Sequence, residues 1–287
     1  MTDLTRLVGE ELDLPVVDAV AGMARALADK YGTASRAVLF YGSCLREREL
    51  DGLMLDFYLI VSDYDAAYDR RWLATANRLV PPNVFPFAHN GLAAKYAVLS
   101  EADFARLCGA GADTVSVWAR FAQPSRLAWA ADDAARKAVI GAVAKAAPTL
   151  LALTRPLVEG DALAVWRRGF ALTYAAELRA ESTARPGTVV DADPDRYARF
   201  AAVISIAPTT HQEAERRWTR LRRRGKIVSV LRLAKATATF AGGIDYLAWK
   251  INRHAGTAIA IKPWQRRFPI LGGLSLLPRL LRSGAVR

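Results

Sequence analysis

The sequence predicts an α/β (α+β) chain in three parts: a mixed-sheet unit over residues 1–130, a helical unit over 131–225, and a basic C-terminal region over 226–287. Three observations carry this. Short runs rich in β-branched and aromatic residues, at 38–41, 57–61 and 92–100, alternate with amphipathic stretches in the first part. From residue 132 the apolar spacing turns mostly helical. Finally, charge is unevenly placed: residues 216–287 hold 17 Lys/Arg against the single acid Asp245, whereas the rest of the chain is slightly acidic.

Taken in order, residues 15–30 place Val17, Val20, Ala21, Ala24 and Leu27 on one helical face, and Gly32 is set to end that helix. Val38–Tyr41 reads as a strand leading into the turn Gly42-Ser43, and Leu53–Val61 as a second strand. Tyr64–Leu79 reads as a helix with acids early and arginines late, matching the helix dipole. Val80–Asn90 is rich in proline, and His89-Asn-Gly91 is a turn signal. Leu92–Ser100 is extended, Glu101–Cys108 is a helix capped by Ser100, and residues 125–131 lead out of the first unit. Helices follow over 132–146, within 160–184 and over 195–207, with a loop at 186–194. Arg222-Arg-Arg-Gly-Lys226 reads as a solvated face or hinge between a basic run and the apolar run 227–240.

Composition excludes several classes. At 52% hydrophobic over 287 residues the chain has ample material for a core, so disorder is not expected. Cys44 and Cys108 give no disulfide framework, which suits a reducing compartment. His89, His211 and His254 lack metal-ligand spacing, so zinc is not expected. The first residues lack a signal peptide's basic and apolar regions, and no uncharged apolar run reaches the length of a bilayer span. The expectation is a cytoplasmic protein, peripheral on the inner face of the membrane. The basic tail calls for an anionic partner, and its apolar, arginine-bearing end (269–282) fits an anionic membrane surface by lying at the interface. Nucleic acid is not the expected partner, and the sequence does not fix the oligomeric state.

Chemistry points to the first two strands. Asp56 interrupts a hydrophobic strand, and a carboxylate there is costly to bury unless it is paired or metal-bound. Gly42 lets the backbone approach a ligand, and Ser43 offers a hydroxyl and an N–H to an anion. A Gly-Ser turn before a carboxylate-bearing strand resembles the polymerase-β-like nucleotidyltransferases, in which carboxylate-held Mg²⁺ clamps a nucleoside triphosphate. Those proteins usually carry two carboxylates two residues apart; here Tyr58 takes the second place.

Within that superfamily the chain resembles the phosphatidate cytidylyltransferases (CDP-diacylglycerol synthases) of the mitochondrial maintenance type. The resemblance lies in Tyr41-Gly-Ser43, Met54-Leu-Asp-Phe57 with Val61-Ser-Asp63, Lys95-Tyr-Ala-Val-Leu-Ser100, Trp118-Ala-Arg-Phe-Ala-Gln-Pro124 and Tyr174-Ala-Ala-Glu-Leu-Arg179. Cys44 stands where the family has glycine, and Ser62 where it has the first of two later acids. The resemblance implies a nucleotidyltransferase domain, a helical or winged-helix-like domain and a membrane-contacting C-terminal region. It also implies transfer of CMP from CTP to phosphatidate with Mg²⁺. Asp56 and Asp63 are then the metal ligands, with Asp51 as a fallback, and Lys95 faces the phosphates. Gly42 and Ser43 cradle the triphosphate, and Tyr174, Glu177 and Arg179 close the nucleotide site. The alternative is a lapsed nucleotidyltransferase-fold module that binds RNA or acidic lipid through its basic tail.

Overall fold

Alternation along the strands decides how the sheet is covered. Leu55, Phe57, Leu59 and Val61 point to one face, and Tyr58 and Ile60 to the other; all are buried. Both faces are therefore packed, as the near-continuous apolar run of the second strand requires. The computed structural model describes residues 2–46, 50, 52–177, 188–206, 208–239 and 260–267.

Five strands form one mixed sheet in the order β3-β4-β2-β1-β5: β1 (Ser35–Tyr41), β2 (Met54–Val61), β3 (Asn83–His89), β4 (Leu92–Ser100) and β5 (Ser125–Ala130). Only the β2–β4 pair is parallel; β1–β2, β1–β5 and β3–β4 are antiparallel. Two strands differ from expectation. The proline-rich stretch after residue 80 forms β3, in which Pro86 is tolerated because β3 is an edge strand that pairs with β4 alone. Residues 125–130 form the opposite edge, β5, rather than a connection.

One face is covered by α2 (Asp18–Tyr31), whose Val20, Met23, Ala24 and Leu27 are fully buried against the sheet. Gly32 ends this helix with a φ of 53°, a conformation glycine adopts without a Cβ penalty. The other face carries α1 (Asp3–Leu12), α5 (Glu101–Leu107), α7 (Asp133–Val143), α8 (Ala146–Thr154), α9 (Ala162–Ala176) and α11 (Pro194–Val203), and the helices between them are α3 (Tyr64–Ala67), α4 (Arg71–Leu79), α6 (Trp118–Phe121) and α10 (Thr188–Asp191). One core cluster runs through this layer from Val8 to Leu221. Buried Trp166 and Trp218 satisfy their indole N–H groups on the carbonyls of Tyr197 and Leu153, at 3.0 and 2.8 Å. The stretch Asp133–Leu157 is long and apolar enough to cross a membrane by composition, but 56% of its apolar 18-residue window is buried inside the fold.

The basic run and the apolar run after it form one unbroken helix, α12 (His211–Thr239). Gly225 is no hinge. It lies where α12 crosses the end of α9, and a Cβ there would collide with the carbonyl oxygen of Ala176. The inner face of α12 carries Ala214, Trp218 and Leu221 at 3–4-residue spacing, then Arg232 and Lys235. Arg232 donates to the carbonyl of Pro81 and the hydroxyl of Ser116, both at 2.8 Å, and Lys235 donates to the carbonyls of Val80 and Pro82. These bonds tie the helix to the chain entering β3.

Lys235 gives a testable pH effect. Burial, with Arg232 beside it, lowers its ammonium from the ordinary 10.5 to about 7. The unfolded chain therefore binds the extra proton between these values, and stability rises as pH increases from about 7 towards 10.5. Below pH 7 both states are protonated and this contribution stays at its minimum. In urea unfolding, wild type is expected to gain on the order of 3 kcal/mol relative to Lys235→Met across that window. Parallel stability curves would show that Lys235 titrates normally.

Candidate active site

Register places the candidate residues at one end of three adjacent strands. Tyr41, the last residue of β1, pairs with Asp56 on β2, and Asp56 pairs with Lys95 on β4. All three lie on the face shared with Leu39, Tyr58 and Ala97, which is covered by the helical layer. Gly42 follows Tyr41 with a φ of 96° and turns the chain into the short 3₁₀ segment Ser43–Arg46, with Ser43 exposed. The positive φ favours glycine, and so does the space: a Cβ on Gly42 would stand 3.2 Å from Asp56 Oδ2. Cys44 is buried, with its thiol directed to the Met54 carbonyl at 3.7 Å, so this side chain braces the turn on β2.

Asp56 carries an ion pair with Lys95 at 3.2 Å; their side chains are 21% and 39% exposed. A pair this open contributes little to stability, which leaves both groups available to a charged ligand. Tyr58 is buried against Tyr41 and Phe121, with ring centroids 5.2 and 5.1 Å away. Burial and then the nearby Asp56 raise the Tyr41 phenol well above its ordinary value, so it stays neutral, while Arg120 acts in the opposite sense.

Behind the tyrosines lies a charge cluster whose cations the sequence did not assign. Arg120, from the short helix Trp118–Phe121, stands 3.9 Å from Glu177, and Arg232 stands 3.7 Å from the same carboxylate. Burial works against the Arg120 charge, but Tyr58, Glu177, Tyr41 and Asp56 outweigh it and raise the guanidinium. Burial lowers Arg232, with Glu177 and Tyr58 acting against that shift. Arg120 lies in one of the quoted motifs, a signal that could have marked it. Arg232 had none, because its arrival depends on the path of α12.

Two assigned roles change. Asp63 lies beyond the opposite end of β2, where its carboxylate caps the helix Tyr64–Ala67 by accepting from the Ala66 N–H at 2.8 Å. The strand residues 57–61 and then Ser62 separate it from Asp56 by about 20 Å of extended chain, too far to share an ion. Glu177 is buried between two arginines and acts as a charge partner for them. Tyr174 is half-buried in the last turn of α9, three residues before Glu177. Arg179 and the fallback ligand Asp51 lie outside the described residues.

The fit to magnesium follows. Among the described residues no group of three acids, histidines or cysteines is arranged to hold a metal. A two-ion site does not fit these residues. A single Mg²⁺ arriving on a triphosphate does, with Asp56 as its protein carboxylate, since Mg²⁺ commonly takes one or two carboxylates and completes its shell with phosphates and water. The missing Cβ of Gly42 keeps the space beside Asp56 Oδ2 open.

No family model and no curated protein matches the chain. A crystal structure of a nucleotidyltransferase-like protein from Exiguobacterium sibiricum 255-15 is similar over 92% of this chain and 91% of that one, at 13% identity and a TM-score of 0.28. The chain itself is a mixed α/β protein. What the site does is read from its own residues.

Proposed function

We propose that this chain is a nucleotidyltransferase that moves CMP from CTP to phosphatidate at an anionic membrane surface, giving CDP-diacylglycerol and pyrophosphate. One observation supports it above the rest. The three segments resembling phosphatidate cytidylyltransferases, around Gly42, Asp56 and Lys95, lie on neighbouring strands with their polar residues at the same end and on the same face.

In the proposed reaction a phosphatidate oxygen forms a bond to the α-phosphorus of CTP. The bond from that phosphorus to the α,β-bridging oxygen breaks, and pyrophosphate leaves with the electron pair. Gly42 admits the phosphates close to the backbone, and Ser43 offers its N–H and hydroxyl to them. Lys95 exchanges its contact with Asp56 for the triphosphate, and so neutralises charge where it develops. Asp56 would be the protein ligand for Mg²⁺, which would supply positive charge to the phosphates when bound. Tyr41 holds its neutral phenol beside Asp56 and shapes the floor of the site.

The test is purified protein with CTP, Mg²⁺ and phosphatidate vesicles, following lipid-linked CMP. Its absence from folded, vesicle-bound protein would sink this reading. A second reading would then stand: a lapsed nucleotidyltransferase-fold module. It is favoured by Tyr58, which fills the second carboxylate position with a buried ring, and by the neutralisation of Asp56 by Lys95. It expects no Mg²⁺-dependent CTP binding by calorimetry.

A further inference from the structure

The outer face of α12 has a composition that neither the site nor the core explains. Successive turns present Arg216, Arg220 and Arg223, then Ile227 and Leu231, along one stripe. Leu79, at the end of the helix Arg71–Leu79, stands beside the same groove. The three aliphatic side chains are 76% (Leu79), 62% (Ile227) and 43% (Leu231) exposed, and the arginines are exposed as well. Arg220 and Arg223 form no ion pair among the described residues, whereas neighbouring Arg224 pairs with Asp113 at 2.6 Å.

Apolar side chains held in water next to unneutralised guanidinium groups fit an amphiphile with anionic heads. We infer that this stripe is a docking surface for a bilayer containing anionic lipid. Arg216, Arg220 and Arg223 contact lipid phosphates, and Leu79, Ile227 and Leu231 enter the boundary between headgroups and acyl chains. Charge selects this occupant over the chain's own C-terminal segment, because residues 240–287 hold eight Lys/Arg and one acid and would be repelled by the arginines. The surface also differs from the tail assigned above: it belongs to a helix anchored on the catalytic layer through Trp218, Gly225 and Arg232. Docking there fixes the sheet's orientation to the membrane. The inference rests on the membrane half of the proposed function and not on its chemistry.

The experiment is flotation of the full chain with vesicles of phosphatidylcholine alone or with phosphatidylglycerol, in the absence of nucleotide. The double variants Ile227→Ser/Leu231→Ser and Arg220→Gln/Arg223→Gln are each expected to lower partition onto the anionic vesicles by about tenfold or more. A control on another surface, Leu14→Ser/Arg25→Gln, should bind as wild type does. All three variants change exposed side chains only, and thermal melts matched to wild type check their folding. Equal binding by all four, or no binding by wild type, would overturn the assignment. So would binding to single-stranded RNA that depends on the two arginines while vesicle binding ignores the aliphatic pair; that outcome marks a nucleic-acid surface. Since nucleotide is absent throughout, failure here is scored separately from failure of CMP transfer.

Discussion

Asp56→Asn is expected to lower CMP transfer to phosphatidate on the order of a thousandfold, about 4 kcal/mol of transition-state stabilisation. The amide has nearly the shape of the carboxylate but lacks its charge, so a phosphate-bound cation loses its protein anchor. Folding should barely change, because the pair lost with Lys95 is open to solvent. Vesicle binding should not change either, since the proposed docking stripe is on another element. The companion variant Lys95→Met should raise KM for CTP more than it lowers kcat, as expected for a cation that meets phosphates in the ground state as well as in the transition state. An Asp56→Asn enzyme that turns over like wild type would reduce the Asp56–Lys95 pair to a surface contact and remove the site from the proposal.

Gly225→Ala is expected to destabilise the protein by about 2–4 kcal/mol. The sign is the informative part. In a free helix this change is favourable by about 1 kcal/mol, since alanine has the higher propensity. In α12 the added methyl meets a backbone carbonyl of Ala176, and a helix backbone has no rotamer with which to yield. Gly22→Ala in α2, where nothing lies within 4 Å of the new Cβ, is the internal control and should gain up to about 1 kcal/mol. Equal gains at both positions in chemical denaturation would mean that α12 does not pack against α9 at Gly225.

The pattern around Gly225 shows where sequence reading stops. Arg222-Arg-Arg-Gly-Lys226 has the local features of a break: glycine, dense like charge and a change of composition after it. Local preference allowed a solvated face or a hinge: Arg222, Arg223, Arg224 and Lys226 are exposed, as the first requires, while the inner stripe Trp218, Leu221 and Gly225 buries against the helical layer and carries the helix through where a hinge would break it. The same conflict arises at β3. Proline and the turn signal at its end marked no strand, but pairing with β4 supplied hydrogen bonds that no local pattern announces. Asp63 fails for a different reason. Motif spacing counts residues along the chain, whereas metal binding depends on distance, and the extended segment 57–61 of β2 intervenes.

By itself the sequence determined the strands β1, β2 and β4, the helix before them, the Gly42-Ser43 turn and the isolated carboxylate of Asp56. Those features are local: short apolar runs rich in β-branched and aromatic residues, a capped helix, and residue types whose backbone freedom or charge is rare in such runs. The tertiary structure decided that Asp56 faces Lys95, that Tyr58 is a packed ring beneath the turn, and that Glu177 draws Arg120 and Arg232 together. It also decided that the charged half of α12 and its aliphatic half share one outer stripe. Each of these depends on which strands become neighbours and on how one long helix crosses another. Burial of apolar surface selects such contacts between residues far apart in the chain, and no short stretch of sequence encodes them.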